Sequence, residues 1–275
     1  MARTTKKRAK ELKHDRFRDT TFETYGRLSN RFEGKGRTIL YAAGGVVALV
    51  VLLLAFNWWR ERRADAARHA LGQAIKIAEA PVSPTPQPGQ TGPTYATERE
   101  RAQKAVEAFQ KVQKDYGSPY SEIARYFAAA NLLYVDRPKG LSELEALSKG
   151  GDDDVAARSK FALAQAREAD AQYDGAAALY QELLKNGGGA VSPNAVKLRL
   201  ASVYEKQGKR DEAVNLLFDM VKAAREAKGK DGKPLPESTA VRTAADKLQE
   251  LSPERYAQLP KESEPGGGAF PLGEG

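Results

Sequence analysis

Apolar residues recur along most of this chain with the spacing of helix faces rather than of strands. Ala102, Ala105, Val106, Phe109 and Val112 sit three or four positions apart, on one stripe of a 3.6-residue helix. Ala213, Leu216, Leu217, Met220, Val221 and Ala224 keep that spacing for a turn longer, and Val241, Ala244, Ala245, Leu248 and Leu251 repeat it. Outside a single continuous apolar run, no stretch alternates apolar and polar residues, so an all-α fold is expected. Four stretches interrupt the helical pattern. Pro81–Pro93 holds four prolines in its first eight residues and then two glycines, which forbids a helix there. Arg137-Pro-Lys-Gly140, Asn186–Pro193 and Lys228–Pro236 are the other three breaks. Beyond Pro253 the chain turns rich in Pro and Gly, which predicts a disordered tail over 253–275.

The continuous run is Thr38 to Trp59, 22 positions without a charge. At 1.5 Å per residue, about 20 apolar residues cross a hydrocarbon core of roughly 30 Å. Trp58 and Trp59 end the run and Tyr41 opens it, as interfacial aromatic belts do. A cleaved signal peptide fits less well, because the residues before the run number 37 and Ala64-Asp65-Ala66 lies behind three arginines. The expected organisation is therefore a basic arm over 1–37, a single N-terminal transmembrane helix over 38–59, and a helical domain over 60–252 with the Pro-rich insertion at 81–93. The arm carries 12 Lys and Arg against 5 acidic residues, which is +7 of the chain's +8. By the positive-inside rule it stays in the cytoplasm and residues 60–275 cross over, although Arg60, Arg62, Arg63 and Arg68 load the far flank as well. Such an arm is expected to contact anionic lipid rather than nucleic acid.

The helices also repeat. Phe161-Ala-Leu-Ala-Gln165 aligns with Phe127-Ala-Ala-Ala-Asn131 at an offset of 34, and Leu200-Ala201 follows Leu163-Ala164 at 37, with the extra residues placed in the Gly187–Pro193 loop. A 34-residue period of paired helices resembles the tetratricopeptide repeat. Leu200, Ala201, Tyr204, Gly208, Ala213 and Leu217 match that pattern in order, while Leu163, Ala164, Tyr173, Ala176 and Tyr180 match it with Ala171 where glycine is usual. Earlier, Ala129, Ala130 and Leu133 fit, and the second helix is expected to be eroded to Leu141–Ser148. A further pair is expected from Ala64–Ala78 and the stripe containing Phe109, with the Pro-rich loop between them. Thr239–Leu251 is expected to cap the resulting α-solenoid. Helix pairs stacked this way leave a concave face, which binds segments of other proteins.

Catalytic chemistry has little to work with. The chain has no cysteine, and its two histidines, His14 and His69, fall on opposite sides of the expected membrane helix. Asp152-Asp153-Asp154 lacks the spaced ligands of a calcium loop and is expected to cap a helix beginning near Val155. Gly187-Gly-Gly189 has neither the lysine nor the strand of a phosphate loop. No enzyme activity, cofactor or metal is expected.

A basic arm, one span ending in aromatic and basic residues, a helix that continues beyond it and a repeat domain together resemble the bacterial ancillary SecYEG translocon subunit family. Val112–Phe127 carries the local likeness, with a helix end, Tyr116-Gly117 and an alanine-rich second helix, whereas Pro81–Pro93 and the Gly-rich tail depart from the family's compact form. The resemblance implies a single-pass inner-membrane protein with its domain in the periplasm, beside the Sec channel. Its partners would be Sec subunits, a periplasmic chaperone and emerging polypeptides. The repeat type further implies that Asn131, Tyr134, Arg158, Gln165, Ser202 and Glu205 face the groove. A structural adaptor for envelope or secretion-complex assembly, holding one dedicated partner, is the alternative expectation.

Overall fold

The computed structural model describes residues 36–83, 92–186, 189–230 and 232–262. The expected basic arm therefore lies almost wholly outside the described residues, as do residues 84–91 of the Pro-rich insertion and 263–275 of the expected tail. The chain divides into two units, Met1–Ala64 and Asp65–Gly275.

In the first unit, helix α1 (Gly36–Ala78) takes in the whole apolar run. From Tyr41 to Trp59 every residue is exposed, including Leu52, Leu53, Leu54 and Phe56. Among the described residues α1 is the one helix long and apolar enough to cross a membrane. Where the run ends, the Arg62 guanidinium lies 4.3 Å from the Trp58 ring centroid and Arg63 lies 5.2 Å from that of Trp59.

The second unit contains the last turns of α1 and nine further helices among the described residues: α2 (Glu98–Asp115), α3 (Tyr120–Val135), α4 (Arg137–Ser148), α5 (Asp153–Ala169), α6 (Tyr173–Asn186), α7 (Pro193–Lys206), α8 (Arg210–Glu226), α9 (Thr239–Leu251) and α10 (Pro253–Tyr256). Their starts follow capping chemistry. Thr97 Oγ1 accepts the Glu100 N–H while Glu100 Oε2 accepts the Ala96 N–H, and Asp152 Oδ1 accepts the N–H groups of Asp154 and Val155. The described residues form no strand, only isolated bridges. One of them, Val82 to Tyr95, pins together the two ends of the Pro-rich insertion so that the helices it separates can still pack.

Each helix from α2 onward packs on the one that follows it, so the core is a row of clusters rather than a single centre. Ala74, Phe109, Val112, Ala124 and Ala128 join the end of α1 to α2 and α3. Ala129, Leu144, Leu147, Val155 and Leu163 join α3, α4 and α5. Tyr180, Leu183, Val196, Leu200 and Val203 join α6 to α7, and Leu217, Met220, Val241, Ala244 and Leu248 join α8 to the capping helix α9. The first helices of the pairs are the end of α1, then α3, α5 and α7; the second helices are α2, α4, α6 and α8.

The repeat is visible in the backbone. Gly208, between α7 and α8, has φ 75°, and Ala171, between α5 and α6, has φ 57°. Both turns close with the same bonds: Gly208 N–H to Glu205 O and Lys209 N–H to Tyr204 O, against Ala171 N–H to Glu168 O and Gln172 N–H to Arg167 O. One turn into the second helices, Gly140, Ala176 and Ala213 are likewise equivalent, each buried and each donating its N–H to the residue four back, Asp136, Gln172 or Lys209.

Two expectations need correction. The stretch Arg137–Gly140 is not a break but the first turn of α4, so this second helix is not shortened to Leu141–Ser148. Pro138 falls in the first turn, where its missing donor has no partner to lose, and the Asp136 side chain accepts the Lys139 N–H. Gly140 is there because α3 is so close: a Cβ would lie 2.8 Å from the Leu133 nitrogen. The chain after Pro253 is also ordered further than expected. It forms α10, Tyr256 and Leu259 pack on the last core cluster, and Arg225 Nη1 donates to the Pro260 carbonyl.

Candidate functional site

The first helices of the pairs share a face, and two clefts open on it. The first, of about 350 Å³, has an apolar floor made by Leu71 and Ile75 of α1, Ile123, Tyr126 and Phe127 of α3, and Val155 of α5. Asp152, Asp154 and Arg158 stand at the same cleft. Phe127 is held from behind by stacking on Phe109 at 5.1 Å, so the floor is fixed by the core beneath it. Burial pushes the Tyr126 hydroxyl pKa up, with Arg158 opposing that shift, so the ring faces the cleft as a neutral amphipathic surface.

The second cleft, of about 400 Å³, is lined by Tyr134 at the end of α3, Gln165, Glu168 and Ala169 at the end of α5, Tyr173 opening α6, and Arg199 and Lys206 of α7. Tyr134 is 58% exposed, unusual for so large a side chain in the middle of a solenoid. Glu168 is partly committed: its Oε2 accepts the buried Tyr180 hydroxyl at 3.1 Å and its Oε1 lies 3.7 Å from Arg199. Residues 127, 131 and 134 follow helical spacing on α3, as do 158, 162, 165 and 169 on α5. The two clefts therefore lie along one stripe, with an apolar floor rimmed by Asp152, Asp154 and Arg158 toward the helix N-termini and a polar cleft holding the Arg199–Glu168 pair toward the C-termini.

Of the six groove residues expected from the sequence, Tyr134 and Gln165 come together in the second cleft and Arg158 borders the first. Ser202 lies between Arg199 and Lys206 at helical spacing. Asn131 donates its Nδ2 to the Phe127 carbonyl in its own helix. Glu205 is engaged by Lys247 of α9 at 2.6 Å and serves the cap. Sequence reasoning missed Tyr126, Arg199, Glu168 and Lys206. Arg199 and Lys206 could have been found by extending the stripe through Ser202 by three and four positions. Among the described residues no three His, Asp or Glu side chains converge as a metal site.

The tetratricopeptide repeat family model matches residues 198–231, which hold most of α7 and all of α8. Helices, turns and the matched repeat agree. The domain is a tetratricopeptide-repeat-like α-solenoid. Repeats of this kind are typically non-catalytic scaffolds that bind proteins. No curated protein matches the chain. Two solved structures of a Podosopora anserina chain assigned as kinesin light chain with nearly identical TPR-like repeats, one of them a point variant, are similar at 17% identity. They cover 67% of this chain and 84% of their own, with TM-scores of 0.47 and 0.46.

Proposed function

We propose that this chain is a non-catalytic, membrane-anchored protein-interaction module on the outer face of the bacterial inner membrane, holding emerging polypeptides or export partners in the groove of its solenoid. The partners in this reading are Sec translocon subunits, a periplasmic chaperone and extended client segments. The observation that carries it is the stripe along α3, α5 and α7, where an apolar floor at Tyr126 and Phe127 continues into a polar cleft at Tyr134 and Gln165. An extended segment can set alternate side chains on such a floor while Tyr134 and Gln165 hydrogen-bond its backbone. The apolar run 38–59 and the +7 charge of the arm before it support single-pass anchoring with the arm in the cytoplasm. Anchoring raises the effective concentration of the groove for anything emerging at the same membrane.

In-cell photocrosslinking from Tyr134 and Arg158, with mass spectrometry of the adducts, tests the reading. Sec subunits, a periplasmic chaperone and assorted exported chains are the expected adducts. Recovery of one envelope-assembly protein with no Sec component would replace this reading with that of a dedicated adaptor.

A further inference from the structure

Positive charge gathers where the apolar run of α1 stops, and the tryptophans there give it a shape. Four residues after Trp58 the Arg62 guanidinium lies 4.3 Å from the ring centroid, and four residues after Trp59 the Arg63 guanidinium lies 5.2 Å from its own. Both fall within the roughly 6 Å at which a ring face attracts a cation. A guanidinium over an indole face still has its in-plane N–H donors to offer. At about 100° per residue, Arg60, Arg62 and Arg63 share about 160° of the helix circumference, with Glu61 about 100° from the nearest of them. Glu61 accepts from Asn57 Nδ2 at 3.0 Å, and Asp65, one turn further, pairs with Arg68 at 2.9 Å. All three arginines of the arc are exposed, and among the described residues neither Arg60 nor Arg62 is in an ion pair. From Arg60 to Arg68 the chain uses four arginines and no lysine.

We propose that this arc binds the headgroup phosphate of an anionic phospholipid, with the acyl chains along the apolar run beside Trp58 and Trp59 and the phosphate held by Arg60, Arg62 and Arg63. The site rests on the anchoring reading above and adds a choice of lipid to it. Two features that meet only here select the occupant. Tryptophan settles at the boundary of headgroup and hydrocarbon whatever the lipid, so it fixes the depth. The arginine fork matches a phosphate bidentately and is drawn to the net negative charge that a zwitterionic headgroup lacks. A soluble anion would use the arginines alone, whereas Phe56, Trp58 and Trp59, each more than half exposed, offer an apolar surface directly beside them.

Trp58 and Trp59 are the chain's only tryptophans, so intrinsic fluorescence reports on this site without a label. The test places the full chain in nanodiscs of phosphatidylcholine with a minor share of phosphatidylglycerol, one lipid or the other carrying brominated acyl chains, which quench indole on contact. Lipid drawn to the opposite leaflet is about 30 Å away and out of contact range. Quenching per brominated lipid is expected to be at least about threefold greater for phosphatidylglycerol. In the triple variant Arg60→Gln, Arg62→Gln, Arg63→Gln it is expected to become equal for the two lipids, while quenching by phosphatidylcholine persists. Equal quenching in the unaltered chain, or a preference that survives in the variant, overturns the proposal and leaves anchoring intact. Absence of quenching by either lipid removes anchoring as well. Loss of the preference on adding inorganic phosphate, but not chloride at equal ionic strength, assigns the arginines to a free anion and also overturns it.

Discussion

At the turn between α5 and α6, Ala171 holds φ 57°, a conformation in which an L side chain crowds its own backbone. Gly208 holds the equivalent place one repeat later without that crowding, and a Cβ there would meet nothing within 4 Å. Strain and fit therefore separate cleanly at these two sites. Ala171→Gly is expected to stabilise the domain by about 0.5–1 kcal/mol, because relief of strain exceeds the added entropy of the unfolded chain. Gly208→Ala is expected to destabilise it by about 1 kcal/mol. Denaturant midpoints measure both, and equal effects of one sign would refute the shared geometry. Tyr180 adds a pH dependence. Burial, then the nearby Glu168 carboxylate, push its hydroxyl pKa above the ordinary 10.0. Folded protein therefore keeps the proton where unfolded protein has lost it, so stability from this group is complete below about pH 10 and declines above it. Tyr180→Phe should flatten that alkaline decline in a pH series of unfolding curves, at the expense of leaving Glu168 without its buried donor.

Among the elements, the cap of α9 and α10 is fastened by polar contacts that apolar spacing does not reveal. Arg225, at the end of α8, donates to Glu237 at 2.8 Å and to the Pro260 carbonyl at 2.8 Å, and both members of the ion pair are over 90% buried. Removing one partner from such a pair leaves a charge without solvent or counterion, so Arg225→Met is expected to cost about 3–5 kcal/mol. The double change with Glu237→Leu should cost less than the sum of the single changes, and additivity in that cycle would argue against the pair. The sequence made α9 legible because Val241, Ala244, Ala245 and Leu248 keep strict helical spacing. It hid the start of α4 because Pro138 and Gly140 look alike as breakers, whereas in the fold one occupies a first turn and the other a contact with α3. Close approach is a property of two helices, and a reading of one helix at a time cannot see it. The same limit applies in the groove. Tyr134 and Gln165 line one cleft, whereas Glu205 pairs with Lys247, a residue 42 positions away that no repeat position points to.

For the whole molecule, the strongest physical constraint is the apolar run of α1. Val46 to Phe56 present large apolar side chains that remain 48% exposed or more, uncovered by any of the described residues. In water such a strip is a liability, whereas in a bilayer it is the condition of insertion. Its length and its charged flanks were legible in the sequence because membrane insertion depends on composition more than on tertiary contact. The energetic margin of the run is testable. At the centre of a span each Arg costs about 2.5–3.5 kcal/mol, while Leu contributes only about −0.3 to −0.6. Leu52→Arg together with Leu53→Arg therefore shifts insertion by about 6–8 kcal/mol, comparable with the whole favourable contribution of roughly a dozen apolar residues. Alkaline extraction of membranes is expected to leave the unaltered chain in the pellet and to release the double variant. The solenoid's own core lies in the second unit, so the released protein should still show the helical signal and cooperative unfolding of its repeats. A variant that stayed in the membrane fraction as firmly as the original would contradict anchoring by this run.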